Sequence, residues 1–200
     1  MANASTTAIA PYRATLEKAL PSIRAVLPAT IAAYLTPERM IKIVLVAMSR
    51  NPELMTCTQA SILRGVMEAA ELGLEPSGGA LGHAYLVPFR RKDGTKEAQL
   101  IIGYRGYISL SRRSGTILSV ESHVVHERDS FVLRYGTDPI LSHSPTLEGE
   151  PGQPIGAYAV ACFKDGGRHV EFMTIAEINA IRQRSRASSS GPWVTDYEEM

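Results

Sequence analysis

The chain has 200 residues, room for one sizeable hydrophobic core or one core with a small helical appendage. Hydrophobic residues make up 44% and charged residues 20%, and no run approaches the ~18 apolar residues of a membrane span, so the composition is that of a globular chain and excludes a membrane-spanning helix. A formal net charge of +1 means that composition alone does not point to nucleic acid. The kind of positive charge says more. Sixteen arginines against five lysines favour planar, phosphate-matching and base-stacking groups, although a plain preference for arginine explains the same ratio.

In chain order, residues 1–10 are rich in Ala, Ser and Thr and predict a flexible arm. Residues 12–35 favour helix, but Pro21 and Pro28 must cut the stretch into short pieces. Thr36-Pro37 is a cap followed by a first-turn proline, and Met40, Ile41, Val44, Leu45 and Met48 recur with helical spacing until Asn51-Pro52. A second such helix runs from about Thr58 to Leu72 and stops at Gly73, with Leu74 closing the contact beyond it. At Pro76 the pattern changes. Ser77-Gly78-Gly79 is a loop. Residues 82–90 and 96–104 are strands of a hairpin whose turn is Arg91-Lys92-Asp93-Gly94. Gly103-Tyr104-Arg105-Gly106 then leads into a helix of about ten residues that ends at Gly115. Strands follow near 116–127 and 130–135. Residues 136–154, with Pro139, Pro145, Pro151 and Pro154, predict a long irregular connection. A second hairpin spans 155–173 around Asp165-Gly166-Gly167, and a last helix runs from Thr174 to about Arg186 before a loop and Trp193. This order predicts an α+β fold: N-terminal helices, then an antiparallel sheet with hairpins and packed helices. Residues 1–35 form an arm and short helices suited to subunit contacts, and residues 36–200 form the core.

Enzyme chemistry has little to stand on. The phosphate-binding G-x-x-x-x-G-K-[ST] loop is absent, as are H-E-x-x-H and C-x-x-C, so neither a nucleotide cofactor nor a metal is called for. His123, His126 and Asp129 suggest a metal at first sight, but residues three apart on a strand face opposite sides. Cys57 and Cys162 are too few for a disulfide framework or a zinc site and fit a reducing, cytoplasmic setting, and the first residues lack the pattern of a signal peptide.

Basic and aromatic residues do cluster. Arg90, Arg91, Lys92 and Lys96 crowd the first hairpin. Arg105 sits between Tyr104 and Tyr107, and Arg112 and Arg113 lie near the end of the same helix. Lys164 is in the second hairpin turn. Of Arg182, Arg184 and Arg186, at most two share a helix face, and Arg182 and Arg186 are the candidates. Cations bind phosphate and interleaved rings stack on bases. Gly103 and Gly106 allow a tight turn and close backbone approach, and a helix starting at Gly106 would present free N–H groups to an anion. Structural readings compete at each place: solvated hairpin tips, helix-end arginines, at least one inward tyrosine, and Trp193 as a core anchor.

Leu72-Gly73-Leu74-Glu75-Pro76, Gly82-His83-Ala84-Tyr85-Leu86-Val87-Pro88-Phe89 and Gln99-Leu100-Ile101-Ile102-Gly103-Tyr104-Arg105-Gly106-Tyr107 together resemble the RecT family of phage and prophage recombinases. Ser111-Arg112-Arg113-Ser114-Gly115, Tyr158-Ala159-Val160-Ala161 with Lys164-Asp165-Gly166-Gly167, and Pro192-Trp193 extend the resemblance in order over residues 36–200. It implies a protein that binds single-stranded DNA and anneals complementary strands in homologous recombination without ATP, catalytic residue or cofactor. It implies a homo-oligomer, either ring or helical filament, working with a partner exonuclease and a host single-strand binding protein. Two departures stand out. Val194-Thr195-Asp196 follows Trp193 where the family often has lysines, and the sequence stops at Met200 where the family continues into a C-terminal region suited to host-protein docking. The rivals are a passive single-strand binder and, behind it, a metal-dependent nuclease.

Overall fold

The computed structural model describes residues 3–78, 81–185, 188–189, 192–195 and 197–199. It is an α+β fold with N-terminal helices and antiparallel strand pairs, as the sequence predicts. The chain divides into two compact units, Met1–Arg113 and Ser114–Met200.

The first unit starts with α1 (Asn3–Lys18), α2 (Leu20–Val26) and α3 (Ala29–Ala32). The predicted arm is therefore helical from Asn3, and Ile9, Tyr12 and Leu16 are buried where α1 packs on its neighbours. Tyr12 also donates its hydroxyl to the carbonyls of Met55 and Cys57 at 2.6 and 3.0 Å. Burial of apolar groups on a repeating face outweighs the weak local preference that suggested a loose arm. Pro21 falls in the first turn of α2 and Pro28 precedes α3, so both prolines cut the helices as expected.

Helix α4 (Pro37–Arg50) is capped by Thr36, whose Oγ1 accepts from the Arg39 N–H. Its Met40, Val44 and Met48 are fully buried on one stripe. A short 3-10 turn (Pro52–Thr56) leads to α5 (Gln59–Leu72), capped by Thr58 and closed by Gly73 at φ 59°. Beyond it the Leu74 N–H returns to the Ala69 carbonyl, and Leu74 is buried. Strands β1 (Ala84–Arg90) and β2 (Lys96–Ile102) pair antiparallel, with Ala84 opposite Ile102 and Arg90 opposite Lys96. The hairpin docks on α5 through small residues. The buried Ala98 N–H donates to Ser61 Oγ at 2.9 Å, and one turn later a Cβ on Gly65 would meet Leu86 at 2.6 Å. Helix α6 (Tyr104–Arg113) closes the unit. It starts two residues before the predicted Gly106, because the Gly103 carbonyl already accepts from the Gly106 and Tyr107 N–H groups and so turns the chain.

In the second unit β3 (Ile117–His126), β6 (Pro154–Phe163) and β7 (Arg168–Thr174) form a sheet in the order β3-β6-β7. Strands β4 (Ser130–Arg134) and β5 (Ile140–Ser144) form a separate hairpin. The expected irregular connection over 136–154 thus contains a strand: Ile140–Ser144 alternates half-buried and exposed residues between the prolines and pairs with β4. Nor do the strands make one sheet. Among the described residues they form three, counting β1-β2, all antiparallel. The hairpin covers the sheet with aromatic rings, Phe131 lying nearly parallel to Tyr158 and Phe172 at 5.8 and 5.4 Å. Helix α7 (Ile175–Arg184) packs on β6 and β7 and begins at a full capping box, Thr174 with Glu177. A last turn, α8 (Pro192–Thr195), precedes Tyr197–Glu199.

Candidate nucleic-acid interface

The first-unit candidates fall into two groups at opposite ends of the β1–β2 hairpin. Arg90, Arg91, Lys92 and Lys96 stand at the turn, where Arg90 pairs with Lys96 in register. Asp93 fixes this turn by accepting from the Thr95 N–H and hydroxyl, contacts that hold its carboxyl below the usual range. Gly103, Tyr104, Arg105, Gly106 and Tyr107 stand beyond the other end, after Ile102. Six strand rises separate the ends, on the order of 20 Å.

The turn cations differ in their partners. Arg91 is held by Glu97 at 2.9 Å and Lys96 by Glu53 at 2.7 Å. Arg90 and Lys92 are exposed and have no ion-pair partner among the described residues. Sequence spacing missed Arg64 on α5, which also approaches Glu97, at 4.0 Å. An isolated arginine on the polar side of an apolar helix carries no local signal.

On α6, Tyr104 and Tyr107 are three residues apart and share a face. Both point outward, 66% and 58% exposed, which corrects the expectation that one packs inward. Arg105 Nε donates to Tyr104 Oη at 3.0 Å, and its guanidinium lies 5.6 Å from that ring's centre. The pair presents an aromatic ring and a cation to solvent. Arg112 and Arg113 are both exposed in the last turn, where positive charge suits the helix dipole. Arg113 donates to the Ser109 carbonyl at 3.4 Å, and its Nη1 lies 2.7 Å from where a Cβ on Gly73 would be. Arg112 has no ion-pair partner among the described residues.

Gly103 and Gly106 permit a close approach, but to their own chain. A Cβ on Gly103 would lie 2.3 Å from the Gly82 carbonyl oxygen, and one on Gly106 would lie 2.1 Å from that of His83. The Gly103 N–H also donates to the His83 carbonyl at 3.0 Å. The glycines therefore seat α6 and its tyrosines against the loop before β1.

The second-unit candidates are dispersed. Lys164 is exposed in the β6–β7 turn, and its backbone N–H donates to Thr116. Arg182 donates to the Ser188 carbonyl at 2.8 Å and lies 5.5 Å from the centre of the Tyr197 ring, so it ties down the segment after α7. Trp193 is half-buried beside Tyr197, with ring centres 6.3 Å apart. Arg186 lies outside the described residues. A groove of about 780 Å³ opens between the β3-β6-β7 sheet and the β4–β5 hairpin, lined in part by His123, Arg134, Tyr158, Val160 and Arg168. None of the residues predicted to bind DNA lines it.

His123 and His126 have different partners, and a register shift interrupts the β3–β6 ladder between Val125 and His126. His123 lies against the Tyr158 ring, whereas His126 turns towards Asp129. Sequence reading missed His143, which bridges Asp129 at 3.1 Å and the Tyr158 hydroxyl at 3.2 Å. Asp129 also accepts the His126 and Thr146 N–H groups, both at 2.8 Å, and these bonds hold its carboxyl far below the usual range. This network anchors β4–β5 to the sheet. Among the described residues, no group of three or more His, Cys, Asp or Glu side chains is arranged so that it could hold a metal ion. None of the described helices is long and apolar enough to cross a membrane.

Comparison with known proteins gives a consistent picture. The model of the RecT family matches residues 38–200. The chain is 45% identical over 183 residues to Protein RecT of Escherichia coli (strain K12), covering 90% of this chain and 67% of that protein. It is 29% identical over 140 residues to the Uncharacterized protein YqaK of Bacillus subtilis (strain 168), covering 70% of this chain and 46% of that one.

Proposed function

The chain belongs to the RecT family, and from that premise we propose that it binds single-stranded DNA and anneals complementary strands in homologous recombination, without ATP and without a catalytic residue. The observation that carries this reading is the outward-facing Tyr104–Arg105–Tyr107 surface on α6, joined by one hairpin to the cations at its turn. Annealing makes and breaks no covalent bond. The protein has to neutralise phosphate repulsion and leave base edges free for pairing, and backbone contacts do that because they position a strand without reading it. The two cation groups are on the order of 20 Å apart, or about six steps at the 3.4 Å rise of B-form DNA, which suits a strand tracked at two points.

Arg90, Arg91, Lys92, Arg105 and Arg112 are assigned to phosphate, with Lys96, Arg113 and Lys164 in lesser roles. Tyr104 and Tyr107 offer stacking faces. Arg182 and Trp193 support the segment after α7 and bear on DNA indirectly. In the same proposal the protein works as a ring or helical filament in the bacterial cytoplasm, with the helices of residues 1–35 at subunit contacts. A partner exonuclease supplies the single strand, and a host single-strand binding protein is a further partner.

A pairing assay with two complementary oligonucleotides and no nucleotide tests the reading. Pairing is expected to accelerate well beyond the protein-free rate. Strand binding without acceleration would instead identify a passive binder, and magnesium-dependent cleavage of labelled DNA would identify a nuclease. Arg105→Ala is expected to weaken binding alike across sequences and to flatten its salt dependence, and an unchanged salt slope removes Arg105 from the phosphate contacts.

A further inference from the structure

Glu97 gathers two arginines that are remote in sequence. Its Oε2 lies 2.9 Å from Arg91 Nη2 and 4.0 Å from Arg64 Nη1. Arg91 comes from the hairpin turn and Arg64 from α5, and the docking of β2 on α5 brings them together. The Glu97 side chain is 16% exposed while both arginines are 57% exposed, so the carboxylate sits beneath and the guanidiniums remain open to solvent. Two guanidiniums repel each other unless an anion lies between them. Here one carboxylate neutralises one of two charges, and each planar fork keeps further N–H donors for a second anion. Lys96 nearby is already neutralised by Glu53, whereas Arg90 and Lys92, without an ion-pair partner among the described residues, add positive charge.

We propose that Arg64 and Arg91, which both approach Glu97, form a clamp for a single backbone phosphate of the bound strand. The clamp rests on the strand-binding reading above and adds Arg64 as a phosphate ligand and Glu97 as a positioning residue. Its ligand is a phosphodiester, a tetrahedral anion that accepts from two forks at once. Glu97 lies on a strand tied to α5 by the Ala98–Ser61 hydrogen bond next door.

Salt-dependent binding of a fluorescent oligo-dT to the full chain tests this. Arg64→Ala is expected to weaken binding about tenfold or more, the range of a lost charge-assisted hydrogen bond. Removing both arginines removes one phosphate contact, so Arg64→Ala/Arg91→Ala is expected to lower the log–log salt slope by about 0.7. Two independent contacts would lower it by about 1.4, and that result overturns the shared clamp. Unchanged affinity in Arg64→Ala, with an unchanged thermal melt and normal wild-type binding, overturns it as well while leaving strand binding intact. Absence of salt-dependent binding in the wild type sinks both readings. Glu97→Gln separates positioning from simple charge: removal of an acid alone predicts tighter binding, and loss of the clamp predicts weaker binding. Tighter binding by the Glu97→Gln variant overturns the positioning role.

Discussion

A single methyl group is a sensitive probe of how α6 is seated. At Gly106 it would fall 2.1 Å from the His83 carbonyl oxygen, and a backbone atom cannot swing aside as a side-chain tip can. Gly106→Ala is expected to cost about 3 kcal/mol or more, measured as a lowered urea midpoint, and to reduce strand binding with it. A midpoint equal to the wild type's would mean that the loop yields freely. At Asp129 the probe is the proton. Backbone N–H groups of His126 and Thr146, then the His143 ring, hold the folded carboxylate well below its ordinary value of 3.8. The unfolded carboxyl takes a proton near that value while the folded one does not. The stabilisation is therefore complete above pH ~4 and is lost as pH falls towards the folded value. Asp129→Asn is expected to destabilise the second unit at neutral pH and to flatten its acid dependence below pH ~4, followed by near-ultraviolet circular dichroism. An acid limb as steep as the wild type's would assign the effect to other carboxylates.

Capping, turn chemistry and periodicity are local, and the elements they govern were legible in the sequence. Thr36 before Pro37, Gly73 after α5, Asp93-Gly94 in the first hairpin and Thr174 with Glu177 all do what their residue types suggest. Elements decided by tertiary partners were harder to see. Strand β5 exists because β4 lies beside it, and α1 is helical because Ile9, Tyr12 and Leu16 reach a core made by α4 and α5. The proposed binding surface divides in the same way. Its cations were visible as runs in the hairpin and in α6, whereas Arg64 becomes relevant only once β2 lies on α5. Ser61 makes that contact, so its hydroxyl matters more than its place on an amphipathic helix suggests. Ser61→Ala leaves the buried Ala98 N–H without an acceptor and is expected to cost about 1–3 kcal/mol in chemical denaturation. A loss near zero would show that water replaces the hydroxyl.

Over the whole molecule, burial is uneven. The helices of the first unit enclose Leu16, Ile23, Met40, Met48 and Ile62 almost completely. Among the described apolar side chains of the second unit, only Val125 and Tyr158 are buried, and Tyr158 is 9% exposed. Leu118, Val132, Tyr135 and Leu147 stand more than 45% exposed there. Amide hydrogen exchange is therefore expected to be slowest in α4 and α5 and faster by orders of magnitude in β4 and β5. Equal protection in both would contradict this ordering. A thinly buried unit is also one whose stability depends on its company. Any partner that covers those side chains adds its binding free energy to the folding of that unit, about 2.7 kcal/mol at a hundredfold excess over Kd. Its melting temperature then becomes a titration readout, climbing with the concentration of whatever binds there while the helical unit melts where it did before.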